Sequence, residues 1–390
     1  MLLNFGGPRD LDEVQNFLYE ILRDPNTIQL PAPHWMQNRF ARFIASRRVV
    51  EISRQYGVIG GRSPLVEATG RIATALTRAL ASRSGEAPPP VVIAHRYLAG
   101  HARAAVEQVM ALHRESPVDA ILALPLYPHF SYASSGSSFQ QLHGLLAAAG
   151  WKGRLWACPS YPDAPGYIDA MAARLDALLT AVRPPPETTV ILCSAHGLPK
   201  AYLGRGDPYL DELHRTLEPL RGRFPGWRFE LSFQSRVGPA EWLKPYTDKI
   251  IPQLAGQGVR HLVFVPLAFV NDHLETLYEV GVTYCNIARA HGITPHRVPA
   301  VEDHPAYIQM LARAVADWLE ATPLEASPLE ASPLEASPLE ATPLEASPSP
   351  SLRPVEELLP PSQTWRRHGP WLAALGAALA LAGGISWWIG

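Results

Sequence analysis

Four stretches of the chain are almost wholly apolar, and they set the terms for any fold: VVIAHRYL at 91–98, AILALPLYP at 120–128, TVILCSAH at 189–196 and HLVFVPLAFV at 261–270. None alternates apolar with polar residues, so none suits a sheet with one wet face. Strands of this kind belong in a sheet covered on both sides, as parallel sheets are. Amphipathic stretches such as Ala102–Arg114 and Gly166–Val182 lie between them, and strands spaced by helices mean βαβ units. The opening MLLNFGGP reads as a further strand entering a glycine turn; without a basic leader or a long apolar run, it is not a signal peptide. About 320 residues is long for one such sheet. The expected fold is therefore α/β, with two doubly wound parallel-sheet halves parted near 150–165, taken as 1–155 and 156–320.

Composition narrows the function. The 390 residues are 47% hydrophobic with a net charge of −2. No basic stripe or recognition motif appears, which excludes a nucleic-acid partner. Cys158, Cys193 and Cys285 are few and far apart. They support neither a disulfide framework nor a paired-cysteine metal site, and a reducing cytosol is the simplest compartment.

Beyond residue 320 the pattern changes. PLEAS or PLEAT units repeat, with proline at 323, 328, 333, 338, 343 and 348. Each unit carries a helix breaker and one large apolar residue, so residues 321–365 are expected to form an extended acidic linker without secondary structure. Residues 366–390 form a different segment. The stretch from Pro370 to Gly390 has no charge, and Trp371, Trp387 and Trp388 bracket it. About 20 residues at roughly 1.5 Å each span a bilayer's hydrocarbon thickness, and interfacial tryptophans suit its ends. A single transmembrane helix is expected here. Arg366 and Arg367 just before it keep the upstream residues cytoplasmic by the positive-inside rule.

Three strand ends carry candidate chemistry. ILCSAHGLP, 191–199, ends an apolar run on His196 where the chain must turn, with Gly197 permitting close approach of a ligand. His196 can accept a proton, bind a metal or serve structure; a hydrolytic pairing with Ser194 has little support. In PLAFVNDHLETLYEV, 266–280, Asp272 and Glu275 have the spacing of a helix capping box. The same stretch gathers Asp272, His273, Glu275 and Glu279, and the two glutamates, four apart, share a helix face. Like charges there call for a cation or a proton between them, and carboxylate with imidazole suits a divalent transition metal. In LPLYPHFSYASSGSSFQQL, 124–142, serines around Gly136 offer hydrogen bonds to an anion, and Tyr127 and Phe130 offer apolar walls. LNFGGP at 3–8 and GGRSPL at 60–65 are glycine turns, and neither is a dinucleotide fingerprint.

Taken in order, LLNFGGP, IGGRSPL, LPLYPHFSYASSGSS, SAHGLP, GDPY at 206–209, FQSRVGPAEWLKPYT at 233–247 and FVNDHLETL at 269–277 closely resemble the ferrochelatase family. The resemblance runs from Leu2 to about residue 318. It implies two Rossmann-like halves with the active site in the cleft between them. It places the family's cleft histidine on His196 and its active-site glutamate on Glu275, as catalytic and metal-handling residues. Phe5, Arg96, Tyr97, Tyr127, Ser134, Ser135, Phe269, Asp272, His273 and Glu279 would line the porphyrin cleft. A further acidic position of the family is Thr283 here, which shortens the row of carboxylates sometimes proposed as a proton or metal path.

The implied reaction is insertion of Fe²⁺ into protoporphyrin IX, giving haem and two protons. The family reading favours this ring over coproporphyrin III because Phe5 stands where coproporphyrin users carry a tyrosine. A bent macrocycle exposes its nitrogen lone pairs, so a cleft that grips it favours the transition state. His196 would take pyrrole protons, with Glu275 and His273 handling metal or relaying protons; the reverse assignment is open. Iron is a substrate, and no iron–sulfur cluster is expected because no cysteine follows Cys285. The tail lacks the ligand motif of a chlorophyll-binding helix, so a plain tether is expected. Another tetrapyrrole chelatase and a non-catalytic haem binder are the alternatives.

Overall fold

The computed structural model describes residues 1–24, 36–84, 87–236, 240–321 and 351–359. Its strands are β1 (Leu2–Asn4), β2 (Ile93–His95), β3 (Ala120–Pro125), β4 (Arg154–Ala157), β5 (Thr189–His196), β6 (Arg228–Gln234), β7 (His261–Pro266), β8 (Thr294–Arg297) and β9 (Arg353–Pro354). Its α-helices are α1 (Val14–Leu22), α2 (Gln37–Val58), α3 (Leu65–Ser84), α4 (His101–Glu115), α5 (Ser137–Ala148), α6 (Pro165–Val182), α7 (Lys200–Leu203), α8 (Tyr209–Gly222), α9 (Thr247–Gly256), α10 (Cys285–Ala290) and α11 (Pro305–Ala321).

Two parallel sheets repeat one topology. The first runs β2-β1-β3-β4 and the second β6-β5-β7-β8. Strand order reverses beside β1 in one and beside β5 in the other, and ligands of such sheets gather at the carboxyl ends near that reversal. His196 closes β5, and Asn4 closes β1.

Successive side chains on a strand point to opposite faces, and both faces here are apolar. In the first sheet Leu3, Ile121 and Ala123 pack with α4 and α5, while Leu2, Leu122 and Leu124 face a central core. In the second sheet Ile191, Cys193 and Ala195 join that same core, while Val190 and Leu192 pack with α9 and α10. Helices α3, α6, α8 and α11 supply the core's middle layer. The expected continuous apolar runs thus follow from burial on both sides.

The structure corrects three expectations. The strands at 91–98, 120–128 and 261–270 are shorter than their apolar runs, because each run continues past the sheet into the loops of the carboxyl edge. A boundary between 155 and 156 would cut β4, which belongs to the first sheet. The third concerns the linker: β9 pairs antiparallel with β4, and Val355 and Leu358 are buried against the first sheet's outer core. A PLEAS unit has a single large apolar residue to offer, whereas PVEELL offers three, and β4 presents an open edge to receive them. Among the described residues no helix is long and apolar enough to cross a membrane. The expected span at 366–390 and most of the PLEAS repeat lie outside the described residues.

Candidate active site

The carboxyl ends of β5, β6 and β7 bring together residues far apart in sequence. His196 Nδ1 lies 2.7 Å from Glu275 Oε2. Glu275 opens a π-helical stretch, Glu275–Tyr284, that runs on into α10. Ser235, just past β6, bridges the two glutamates: its hydroxyl donates to Glu275 Oε2 at 3.1 Å and to Glu279 Oε2, and its backbone N–H donates to Glu279 Oε1 at 2.9 Å. Its φ of 61° is unusual for a serine and costs of order 1–3 kcal/mol; that conformation accompanies the two-point grip on Glu279. Gln234 Nε2 at 3.2 Å and the Tyr284 hydroxyl at 2.6 Å complete the ring of donors around Glu279.

The capping reading of Glu275 fails. Asp272 accepts instead from Thr276 Oγ1 at 2.8 Å and Arg297 Nη1 at 2.7 Å, and Glu275 turns to the histidine. Gly197 also has a different reason from ligand approach: a Cβ there would meet the Gln234 carbonyl at 2.8 Å and the Trp242 ring at 3.0 Å. Ser194, two residues back, shares the strand face of His196, but its hydroxyl donates to Gln234 Oε1 at 2.5 Å, which leaves His196 without a nucleophile.

The electrostatics follow from the pairing. Burial disfavours a charged His196, but the Glu275 carboxylate, its hydrogen bond and the Glu279 charge outweigh it and raise the imidazole pKa. Burial also works against ionised Glu275, yet His196, then His273 and Ser235, hold its pKa down at about 2. Glu279 goes the other way: burial and the neighbouring Glu275 charge raise it against the Ser235 and Tyr284 hydrogen bonds. Environments that push two carboxyls apart mark out acid and base roles. His273 is lowered by burial despite Glu275. Its Nδ1 donates to the Asn271 carbonyl at 3.1 Å, so the neutral ring turns a bare Nε2 towards Glu275, 4.0 Å away. Phe269 lies against the His273 ring at 4.6 Å. Among the described residues no three carboxylate, imidazole or thiol groups are gathered tightly enough to hold a metal ion.

The remaining expected residues form a second group on the first half. Phe5 and Tyr97 are in contact, with ring centroids 4.5 Å apart. Arg96 is buried; Nε donates to the Tyr97 hydroxyl at 2.9 Å, and the guanidinium also bonds the Ser137 carbonyl and Asp24. Tyr97 in turn donates to Asp24 at 2.7 Å. Tyr127 lies close enough for the Arg96 charge to act on its hydroxyl. Ser134 and Ser135 sit in the π-helical turn Tyr132–Gly136, and the buried Ser135 hydroxyl has no partner among the described residues. The two groups meet through Asn4, whose Nδ2 donates to Asn271 Oδ1 at 3.0 Å. The glycine turns of LNFGGP and GGRSPL pack on each other: a Cβ on Gly7 would meet Ser63 Oγ at 2.3 Å.

Ser235, Tyr209, Asp207, Glu212 and Asp24 are functional candidates that sequence reasoning missed. The available signal was a polar residue directly after a strand-like alternation, here Ser235 after FELSFQ.

Comparison with known proteins adds the family. The family profile described as Ferrochelatase matches residues 1–319. A ferrochelatase of Synechocystis sp. is 38% identical over 334 residues, 83% of each chain. One of Thermosynechococcus vestitus is 40% identical over 83% of this chain and 82% of its own. One of Geobacter metallireducens is 38% identical over 81% of this chain and 96% of its own.

Proposed function

Because the chain belongs to the ferrochelatase family, we infer that it is a lyase-type metallochelatase of haem biosynthesis, inserting Fe²⁺ into a porphyrin with release of two protons. The observation that carries the mechanism is the 2.7 Å contact between His196 and Glu275 at the carboxyl edge of the second sheet.

That contact couples metal arrival to proton release. The pair holds a proton between imidazole and carboxylate, and Glu275 stays anionic because His196 holds its pKa low. An incoming Fe²⁺ is a competing positive charge for Glu275, and metal binding expels protons from its ligands. Once Glu275 turns to the metal, His196 loses the charge that raised its pKa, releases its proton to water at its exposed face and becomes the neutral base that a pyrrole N–H requires. The bare Nε2 of His273 offers the metal a second, nitrogen donor beside Glu275. Glu279, whose pKa is raised, takes and passes protons through Ser235. A small set of oxygen and nitrogen donors releases iron to the ring, where a closed cage would keep it.

We assign protoporphyrin IX as the ring. Phe5 carries no hydroxyl and packs edge-on to Phe17 and tilted against Tyr97, a largely apolar wall that suits a ring with two carboxylates better than one with four. No resident cofactor is needed. The three cysteines are buried, and burial pushes the thiols of Cys158 and Cys193 up to about 12, which leaves them poor thiolate ligands. The uncharged stretch 370–390 is proposed as a membrane anchor holding the catalytic halves on the cytoplasmic side.

Absorbance-monitored insertion of Fe²⁺ or Zn²⁺ tests this reading, with protoporphyrin IX and coproporphyrin III compared by kcat/KM. A preference for coproporphyrin III would reverse the ring assignment. Haem affinity without any insertion would reduce the protein to a binder.

A further inference from the structure

GDPY is a motif that the reaction above leaves without a role. Its residues sit at the seam between the halves. Asp207 Oδ2 accepts from the Ser131 hydroxyl at 2.8 Å and the Tyr132 N–H at 2.9 Å; Oδ1 accepts from the Tyr209 N–H at 3.1 Å. Glu212, one turn into α8, takes the neighbouring residue: Oε2 accepts from the Phe130 N–H at 2.5 Å, and Oε1 from the Ser160 hydroxyl at 2.7 Å. Two buried carboxylates of the second half thus hold three consecutive residues of the first half's loop. That loop joins Tyr127 to the turn bearing Ser134 and Ser135. From the same motif the Tyr209 hydroxyl donates to the His196 carbonyl at 3.0 Å.

A carboxylate hidden from water is costly unless its lone pairs are met. Asp207 and Glu212 meet theirs across the seam, so neither half can shift without breaking hydrogen bonds to a buried carboxyl group. Burial raises both pKa values, Glu212 to about 7, a further sign of how little water reaches them.

We propose that Asp207, Glu212 and Tyr209 are positioning residues that register the ring-binding loop of the first half against His196 of the second. The path is continuous: loop backbone to carboxylate, carboxylate to Tyr209, Tyr209 to the His196 main chain. It sets the distance between the wall that holds the macrocycle and the base that receives its protons. Misplacement by an ångström at such a contact costs about a hundredfold in rate. The proposal rests on His196 as the proton acceptor.

The test is Zn²⁺ insertion into protoporphyrin IX by the full chain carrying Tyr209→Phe, Asp207→Asn, Glu212→Gln or Ser131→Ala, each also combined with His196→Ala. Tyr209→Phe deletes one hydroxyl and should lower kcat about tenfold while KM for the ring moves less than twofold. Asp207→Asn replaces an acceptor with an amide facing two donors and should lower kcat and raise KM together. Ser131→Ala removes one of those donors, keeps the Tyr132 bond and should fall between wild type and Asp207→Asn. In the His196→Ala background these changes should largely vanish, because residues acting through one group are not additive. Wild-type kcat and KM in Tyr209→Phe and Ser131→Ala would overturn the proposal, as would full additivity with His196→Ala. Unchanged turnover in His196→Ala alone would instead remove the assignment of the base.

Discussion

At the scale of residues, the proposed reaction rests on one hydrogen bond, between His196 and Glu275. His196→Ala removes the proton acceptor, and general-base catalysis is worth about 10²–10⁴ in rate. Zn²⁺ insertion should fall by that factor with little change in KM for the ring. Glu275→Gln keeps the shape and removes the charge. It should weaken the metal dependence, read as a higher KM for Zn²⁺, as well as lowering kcat. The pair also fixes a pH profile. In the proposed mechanism neutral His196 is the active form, and its pKa is raised by Glu275, so kcat/KM should rise with pH through a midpoint above the ordinary 6.5. In Glu275→Gln the raising charge is gone, and that midpoint should move to lower pH. An unchanged or higher midpoint would mean that another group limits the rate.

At the scale of elements, the site depends on how strand ends and one irregular helix meet. The π-helical stretch sets Glu275 beside His196 and Glu279 over Ser235, and the Ser235 hydroxyl separates two carboxylates that would otherwise repel. Ser235→Ala should therefore bring the insertion rate down about tenfold, and differential scanning calorimetry should show a small loss of Tm. This arrangement marks the limit of what the sequence made legible. TVILCSAH was readable as a strand to its last residue because both of its faces are buried, which makes hydrophobicity a complete signal. Glu275 was readable as important, but Asp272 and Glu275 have capping spacing, and nothing local tells a cap from an ion pair with a distant strand end. Arg297 decided it by claiming Asp272, from 25 residues away. The surroundings of the π-helical stretch Glu275–Tyr284 were invisible for the same reason: Ser235, which grips its Glu279, comes from another element. Arg96 and Tyr97 were legible as a pair, but Asp24, their main partner, lies 72 and 73 positions away.

At the scale of the whole molecule, the halves are less separate than their repeated topology implies. The last helix of the chain's second half, α11, packs on α6 and α3 in a core common to both sheets. The tail is correspondingly less independent. Deleting residues 366–390 should move the protein from the membrane to the soluble fraction, with insertion in detergent kept; a soluble full-length protein would refute the anchor. Ending the chain at Ala321 goes further, since it uncovers the edge of β4 and the apolar surface under Val355 and Leu358. Burial of two such side chains is worth about 1.5–3 kcal/mol each before ordering costs. The shorter chain should melt about 5 °C lower than the chain cut at 365 and associate through the bared strand. The same pairing decides where mechanical load enters. Any tension on the chain beyond Leu359 reaches the first half through the short β4–β9 zipper, and α11 bears none of it while the zipper holds. Opening it would pass the load to α11 through the chain between Ala321 and Arg353, whose fully extended contour is roughly 100 Å, so the strand acts as a catch.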